Sequence, residues 1–234
     1  MKLHDFFIHF PNIYAFLCSC RKIPNFEKIL YLRHIKKNQV VFDIGANIGV
    51  YTKLFSKLSG ENGTVHSFEP VPETFQLLID SLAESKNIRA NNLAVGDTEG
   101  MMDISYDPKN SEKSSLLGPQ NNSNFVRTVK VLALDTYAQD VNLERLDFLK
   151  CDVEGFELKA LKGMQNTLAK YHPKISIEVT LPYDQKLELF DLLVDIGYDQ
   201  FRKIERGYSH YSLDQDPHQE GDYFYLYATS SLAS

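Results

Sequence analysis

Apolar residues change their spacing along the chain in a way that marks out its elements. "VVFDI" is a short run rich in β-branched residues that ends at a glycine turn, and "GVYTKLFSKLS" after it spaces Val50, Leu54 and Leu58 at helical intervals. Strand, turn and helix follow in that order. "TVHSFEP" predicts a second strand, and "PETFQLLIDSLAES" a second helix with Pro72 near its start, where a missing N–H costs little. "IRANNLAVGD" predicts a third strand. "MMDISYD" and "VRTVKVLALD" are extended segments flanking the polar stretch "PKNSEKSSLLGPQNNSN". The strand "LDFLKCDVEG", the helix "FELKALKGMQNTLAKY", the strand "KISIEV" and the helix "YDQKLELFDLLVDIG" come next, and two tyrosine-rich strands, "YDQFRKIE" and "DYFYLYAT", close the pattern. Residues 1 to about 37 read as helical pieces broken at Pro11 and Pro24.

Strands alternating with helices predict an α/β fold: a mainly parallel, doubly wound sheet with an antiparallel pair at the C-terminal edge. The expected organisation is an N-terminal helical extension over 1–37 and one domain over 38–234, since 234 residues suit a single large core. A formal charge of -6 lacks the basic face that phosphate neutralisation needs, so no nucleic-acid partner is expected. Cys18, Cys20 and Cys151 do not read as a disulfide framework, which favours a reducing, cytoplasmic setting. "MKLHDFFIHFPNIYAFLCSC" is apolar, but Asp5, two histidines and Pro11 interrupt it. It is read as a helical extension, and no transmembrane segment is expected.

The turn Gly45-Ala46-Asn47-Ile48-Gly49 lies where the first strand meets its helix. In open α/β sheets ligands sit beyond such strand ends. A dinucleotide fingerprint would place a glycine where Asn47 stands, and no Gly-Lys-Ser/Thr follows to make a phosphate loop. The turn therefore suits a nucleoside without a pyrophosphate bridge. Glu69, 24 positions after Gly45, stands where an acid accepts hydrogen bonds from ribose hydroxyls. Asp43 adds a second acid beside the turn, which suits a ligand bearing an ammonium or sulfonium. S-adenosylmethionine, yielding S-adenosylhomocysteine, is favoured over a nicotinamide dinucleotide.

In order and at similar spacing, "FDIGANIGVYT", "FEPVPETFQLL", "NNLAVGD" and "LDFLKCDVEGFELKALKGM" resemble the successive motifs of the FkbM-like methyltransferases, a branch of the class I S-adenosylmethionine-dependent enzymes. The likeness spans about 40–179. It implies a Rossmann-like sheet of seven strands and O-methylation of a small-molecule, sugar or secondary-metabolite hydroxyl. It further implies that Asp43, Gly45, Asn47 and Gly49 line the methionine part, that Glu69 holds the ribose, and that Asn92 to Ala94 lie near adenine. Ala46, in the same turn, and Pro70, in "FEP", are counted with these cofactor contacts.

Methyl transfer to an alcohol needs alignment of the reacting groups and a carrier for the hydroxyl proton. Asp152, at its strand end, orients the cofactor's amino end or the acceptor, and Asp152 or Glu154 takes the proton. Glu157 is expected on a solvated helix face, and Cys151 in the core. Asp152, Glu154 and Glu178 leave a divalent metal conceivable, but no tight ligand spacing calls for one and none is expected. His34, His66 and His172 are read as structural. The stretch 108–124 is read as a lid whose Ser114 and Ser115 meet a polyhydroxylated small-molecule or glycan acceptor, with Glu178 and, among the tail aromatics, His210 on the acceptor wall. A homo-oligomer is left open. The alternatives are an NAD(P)-dependent oxidoreductase on a related sheet and a catalytically silent cofactor-binding module that docks a partner.

Overall fold

The computed structural model describes residues 26–82, 85–107, 110–115, 125–204, 208–210 and 222–228. Most of the expected N-terminal extension lies outside these residues. Its last piece is helix α1 (Phe26–His34), which begins two residues after Pro24. The helix is no appendage: Leu30, Tyr31 and Leu32 are buried against Val41, Phe55, Val65 and Phe148.

Strands β1 (Val40–Ile44), β2 (Thr64–Phe68), β3 (Ile88–Asn91), β8 (Phe148–Cys151) and β9 (Lys174–Val179) are parallel, and β10 (Gln200–Ile204), β11 (Tyr208–His210) and β12 (Asp222–Tyr227) continue the sheet antiparallel, in the order β11-β10-β12-β9-β8-β1-β2-β3. Seven of these match the expected strands, and the three-residue β11 extends the edge. Helices α2 (Val50–Ser59), α3 (Pro72–Ser81), α4 (Leu134–Asp140), α5 (Glu157–Lys162), α6 (Gln165–Tyr171) and α7 (Tyr183–Asp195) connect and cover them.

The third expected strand is in fact two. β3 ends at Asn91, and β4 (Ala94–Val95) leaves to join a second sheet with β7 (Phe125–Leu132), β5 (Gly100–Asp107) and β6 (Asn110–Ser115), in the order β4-β7-β5-β6. Residues 110–115, expected within a loop, pair antiparallel with β5. The remainder of that stretch, apart from 110–115, lies outside the described residues. The second sheet buries Ile104, Tyr106, Val129 and Val131 against Val71 and Ala94.

Alternation along the main strands gives the sheet two unlike faces. Phe42, Ile44, Leu149, Cys151, Ile175, Ile177, Phe224 and Leu226 form one continuous apolar face, packed with α5, α6 and α7. The opposite face starts apolar, with Val41 and Phe148 under α1 and α2, and turns polar toward the strand ends. There Asp43, Lys150 and Ser176 stand side by side in register. One step further on lie Asp152 and Glu178, with Tyr223 opposite Glu178. From β1 the chain proceeds to β2 and β3 on one side and returns to β8 on the other, so a crevice opens beyond β1 and β8.

Candidate active site

The turn after β1 has three alternating residues in the left-handed region: Gly45 (φ 76°), Asn47 (φ 49°) and Gly49 (φ 84°). The two glycines serve different contacts. A Cβ at Gly45 would lie 1.7 Å from the Asp152 carbonyl oxygen, so only glycine lets the ends of β1 and β8 approach this closely. A Cβ at Gly49 would meet Leu78 at 2.6 Å, where α2 packs on α3. The Gly45 and Ala46 amides both donate to the Phe68 carbonyl, fixing the turn to the end of β2. Asparagine tolerates the left-handed region, and Asn47 also accepts a hydrogen bond from the Ile48 amide at its Oδ1 (2.8 Å).

Above the turn is a cavity of about 470 Å³. One end is walled by Ala46, Asn47, Pro70, Leu93, Ala94, Val95 and Ile104, an apolar slot with Glu69 at its side. The Asn47 amide donates to Glu69 Oε2 and the Val71 amide to Oε1, both at 3.0 Å. The carboxylate is thus held at a fixed angle with lone pairs left for a further donor. Burial raises its pKa to about 7 despite the two amides. Asn92, an expected contact, is exposed, and its Nδ2 donates to the Glu69 and Pro70 carbonyls, which makes it a buttress behind the rim.

The other end is walled by Glu27, Val50, Tyr51, Lys150, Asp152, Glu154, Glu178 and Tyr223. Lys150, 3% exposed, places its ammonium 2.9 Å from Asp152 and 4.0 Å from Asp43. Burial alone would pull its pKa down, but the charges of Asp152 and Asp43 outweigh burial and hold it well above its ordinary value. In the same way burial pushes Asp152 up, and the Lys150 ammonium overrides it and holds the carboxyl below the usual range. Asp43 is wholly buried behind the wall, where Thr52 donates to its Oδ2 at 2.6 Å. It acts on the cavity through Lys150.

Glu178 is the opposite case. Burial, and then the neighbouring charge of Asp152, push its pKa up to about 8, while Tyr223 donates to its Oε2 at 2.7 Å. Glu154 faces the cavity from a left-handed position (φ 49°) followed by Gly155 (φ 93°), a backbone that disfavours a glutamate and turns its side chain over the strand end. Oxygens of Asp152, Glu154 and Glu178 lie within 4.8 Å of one another. That spacing would admit a cation, although the Lys150 ammonium already faces Asp152.

Glu157 corrects an expectation. It is fully buried, not solvated, because its Oε1 accepts from the Gly155 amide and the Thr180 hydroxyl, both at 2.9 Å, tying the turn after β8 to the end of β9. His34, His66 and His172 each meet a partner within the fold. His66 meets the Tyr137 hydroxyl at 2.7 Å, His34 the Tyr225 hydroxyl at 2.9 Å, and His172 the Ile196 carbonyl at 2.8 Å. Cys151 is buried and free. Ser115 stands opposite Ser105 on β5, one residue from the cavity-lining Ile104, with Ser114 just before it. His210 stands opposite Arg202 on the outermost strand, two strands beyond Tyr223.

Residues 43–207 match the methyltransferase FkbM domain. The chain belongs to this family of methyltransferases. Methyltransferase sdnD of Sordaria araneosa is 24% identical over 215 residues, covering 79% of this chain and 81% of that protein. Hexuronic acid methyltransferase AglP of Haloferax volcanii is 30% identical over 59% of this chain and 55% of its own. The 31-O-demethyl-FK506 methyltransferase FkbM of Streptomyces tacrolimicus is 38% identical over 33% and 31%. Among solved structures, methyltransferase FkbM from Methylobacillus flagellatus superposes with a TM-score of 0.56 at 16% identity, covering 92% of this chain and 58% of that one. Fibrillarin from Aeropyrum pernix, solved with natively bound S-adenosyl-L-methionine, gives 0.52 at 12%, covering 83% and 68%. Both show the same Rossmann-like fold. Among the described residues no helix is long and apolar enough to cross a membrane.

Glu27, Tyr51, Lys150 and Tyr223 were not singled out from the sequence. Lys150 had the clearest signal, a cation two residues before Asp152 and therefore on the same face of β8. Glu27 and Tyr31 had a weaker one, four apart on one helix face.

Proposed function

We propose that the protein is an S-adenosylmethionine-dependent O-methyltransferase acting on a hydroxyl of a small-molecule, sugar or secondary-metabolite acceptor. Glu69 carries the proposal: a buried carboxylate fixed by two backbone amides beside an apolar slot, with lone pairs free for a vicinal diol. The residues fit an adenosyl sulfonium. Five carboxylates and one lysine wall the cavity, a balance that welcomes a cationic ligand and repels a diphosphate. The names of AglP and of the FK506 enzyme support an oxygen acceptor.

When bound, the cofactor supplies a methyl group on a positively charged sulfur. The chain's part is to hold and orient the acceptor hydroxyl, exclude water and take up the proton. Asp152, kept ionised by Lys150, is a weak base and suits the orienting role, by accepting a hydrogen bond from the acceptor or from the cofactor's amino end. Glu154 and Glu178 remain to receive the proton. Glu178 has the proton affinity that matches the task, and the Tyr223 hydroxyl steadies it once ionised.

Two measurements test the reading. A thermal-shift comparison should show stabilisation by S-adenosylhomocysteine and none by NADH. A mass-spectrometric search across sugars, glycolipids and polyketide or peptide alcohols should find a product heavier by one methyl, and stabilisation by NADH alone would overturn the assignment.

A further inference from the structure

At the polar end of the cavity, α1 contributes one side chain, Glu27. Its two oxygens are each held by a phenol: Tyr31 donates to Oε1, and Tyr51, in the first turn of α2, donates to Oε2 at 2.7 Å. Tyr31 is fully buried and stacks edge-on against Tyr51 (5.0 Å), Phe55 (4.8 Å) and Phe148 (5.8 Å). An ordinary surface glutamate swings freely. This one is clamped by rings that are themselves part of the core.

Charge says what it is clamped for. Lys150 is the one cation on the wall among the described residues, and it is already 2.9 Å from Asp152 with Asp43 behind it. Glu27 acts on Lys150 only as a further, more distant charge. Carboxylates therefore outnumber cations at this end, and a donor brought by a ligand is the way to balance them. The end is also the right one. Glu69 and the apolar slot mark the nucleoside side, and Glu27 sits across the turn from them beside the start of α2.

The geometry points to Glu27 as the residue that receives the α-ammonium of the cofactor's methionyl end. This deepens the proposed function, since it rests on the cofactor being S-adenosylmethionine. The role expected from sequence for Asp43 thus passes to a residue on α1.

Calorimetric binding of S-adenosylhomocysteine and of 5′-methylthioadenosine to the full chain tests it, because the second ligand keeps the nucleoside and sulfur and lacks the amino acid. Loss of a charge-assisted hydrogen bond should weaken S-adenosylhomocysteine binding to Glu27→Gln by roughly 10- to 100-fold while 5′-methylthioadenosine binds within about threefold of wild type. Tyr51→Phe, which frees the carboxylate without removing it, should cost the first ligand several-fold and the second nothing. Equal losses for both ligands would mean that Glu27 only holds α1 in place. No loss for either would send the carboxylate to an ammonium on the acceptor instead. Either result overturns the assignment while leaving the cofactor intact. Should neither ligand bind the wild-type chain, the cofactor reading falls and Glu27 with it.

Discussion

Glu69 makes the nucleoside end of the cavity sensitive to pH in a direction that can be worked out. Burial holds its pKa near 7, against about 4.5 for a free glutamate side chain. A ribose diol donates hydrogen bonds, so it prefers the ionised carboxylate. Affinity for 5′-methylthioadenosine should therefore rise with pH through about 7 and level off above it. Near pH 5.5 only about 3% of Glu69 is ionised, so a ligand that binds the ionised form alone would lose roughly 30-fold. The chemistry gives a similar figure: two hydrogen bonds to a charged acceptor exceed two to a neutral one by about 2 kcal/mol in total, roughly a 30-fold effect. Titration calorimetry between about pH 5.5 and pH 8.5 measures it, and 5′-methylthioadenosine removes the amino acid's own titration from the signal. Glu69→Gln should bind weakly with a flat profile, and its amide NH2 group leaves the Asn47 or the Val71 amide without an acceptor. A flat wild-type profile, or a Gln variant that binds as tightly, would refute the diol assignment.

Gly45→Ala should lower stability by more than about 3 kcal/mol, read by chemical denaturation, because the new Cβ falls on the Asp152 carbonyl and the left-handed φ is strained as well. Lys150→Met leaves Asp43 buried without its cation and should cost about 3–5 kcal/mol, part of which Asp43→Asn restores in the double variant. Methyl transfer followed with labelled cofactor should speed up as pH rises through about 8, where Glu178 ionises. Asp152→Asn removes the like charge facing it and should move that rise to lower pH, with Glu154 and Tyr223 left in place. An acceptor bearing a carboxylate beside the reacting hydroxyl should show a higher KM than its neutral counterpart, given the acids along the wall.

Sequence pattern made most of the parallel strands legible because short apolar runs such as 40–42 and 148–149 are bounded by turns that carry glycine, proline or acid at the positions that need them. It also located the turn at Gly45 and the acids at Glu69, Asp152 and Glu178, since strand ends are where this architecture gathers function. It failed where two elements share one run of residues. "IRANNLAVGD" has the composition of a single strand, and nothing local shows that Asn92 turns the chain out of one sheet into another by donating to the carbonyls of Glu69 and Pro70. It failed again where a side chain's environment comes from distant parts of the chain. Glu157 looks solvated until Gly155 and Thr180 close on it, and Asp43 looks like a rim acid until Thr52 and Lys150 enclose it.

The enclosure of Asp43 explains how one sheet serves stability and chemistry at once. On the face packed with α5, α6 and α7 the strands stay apolar to their ends, from Phe42 and Ile44 through Ile177 to Phe224, and burial there is uninterrupted. On the α1 face, alternation would have continued as an apolar row, but Asp43, Lys150 and Ser176 occupy it instead. Burying that charge does little for stability, because desolvating each ion offsets most of the attraction between them. What it fixes is direction. Lys150 can neutralise Asp152 only from below, so Asp152 stays ionised, and its charge in turn raises the proton affinity of Glu178, which must itself be ionised before it can take the acceptor's proton. Replacing the row with apolar residues would therefore preserve the fold and, by releasing Asp152, leave the two carboxylates above it without a defined order of ionisation.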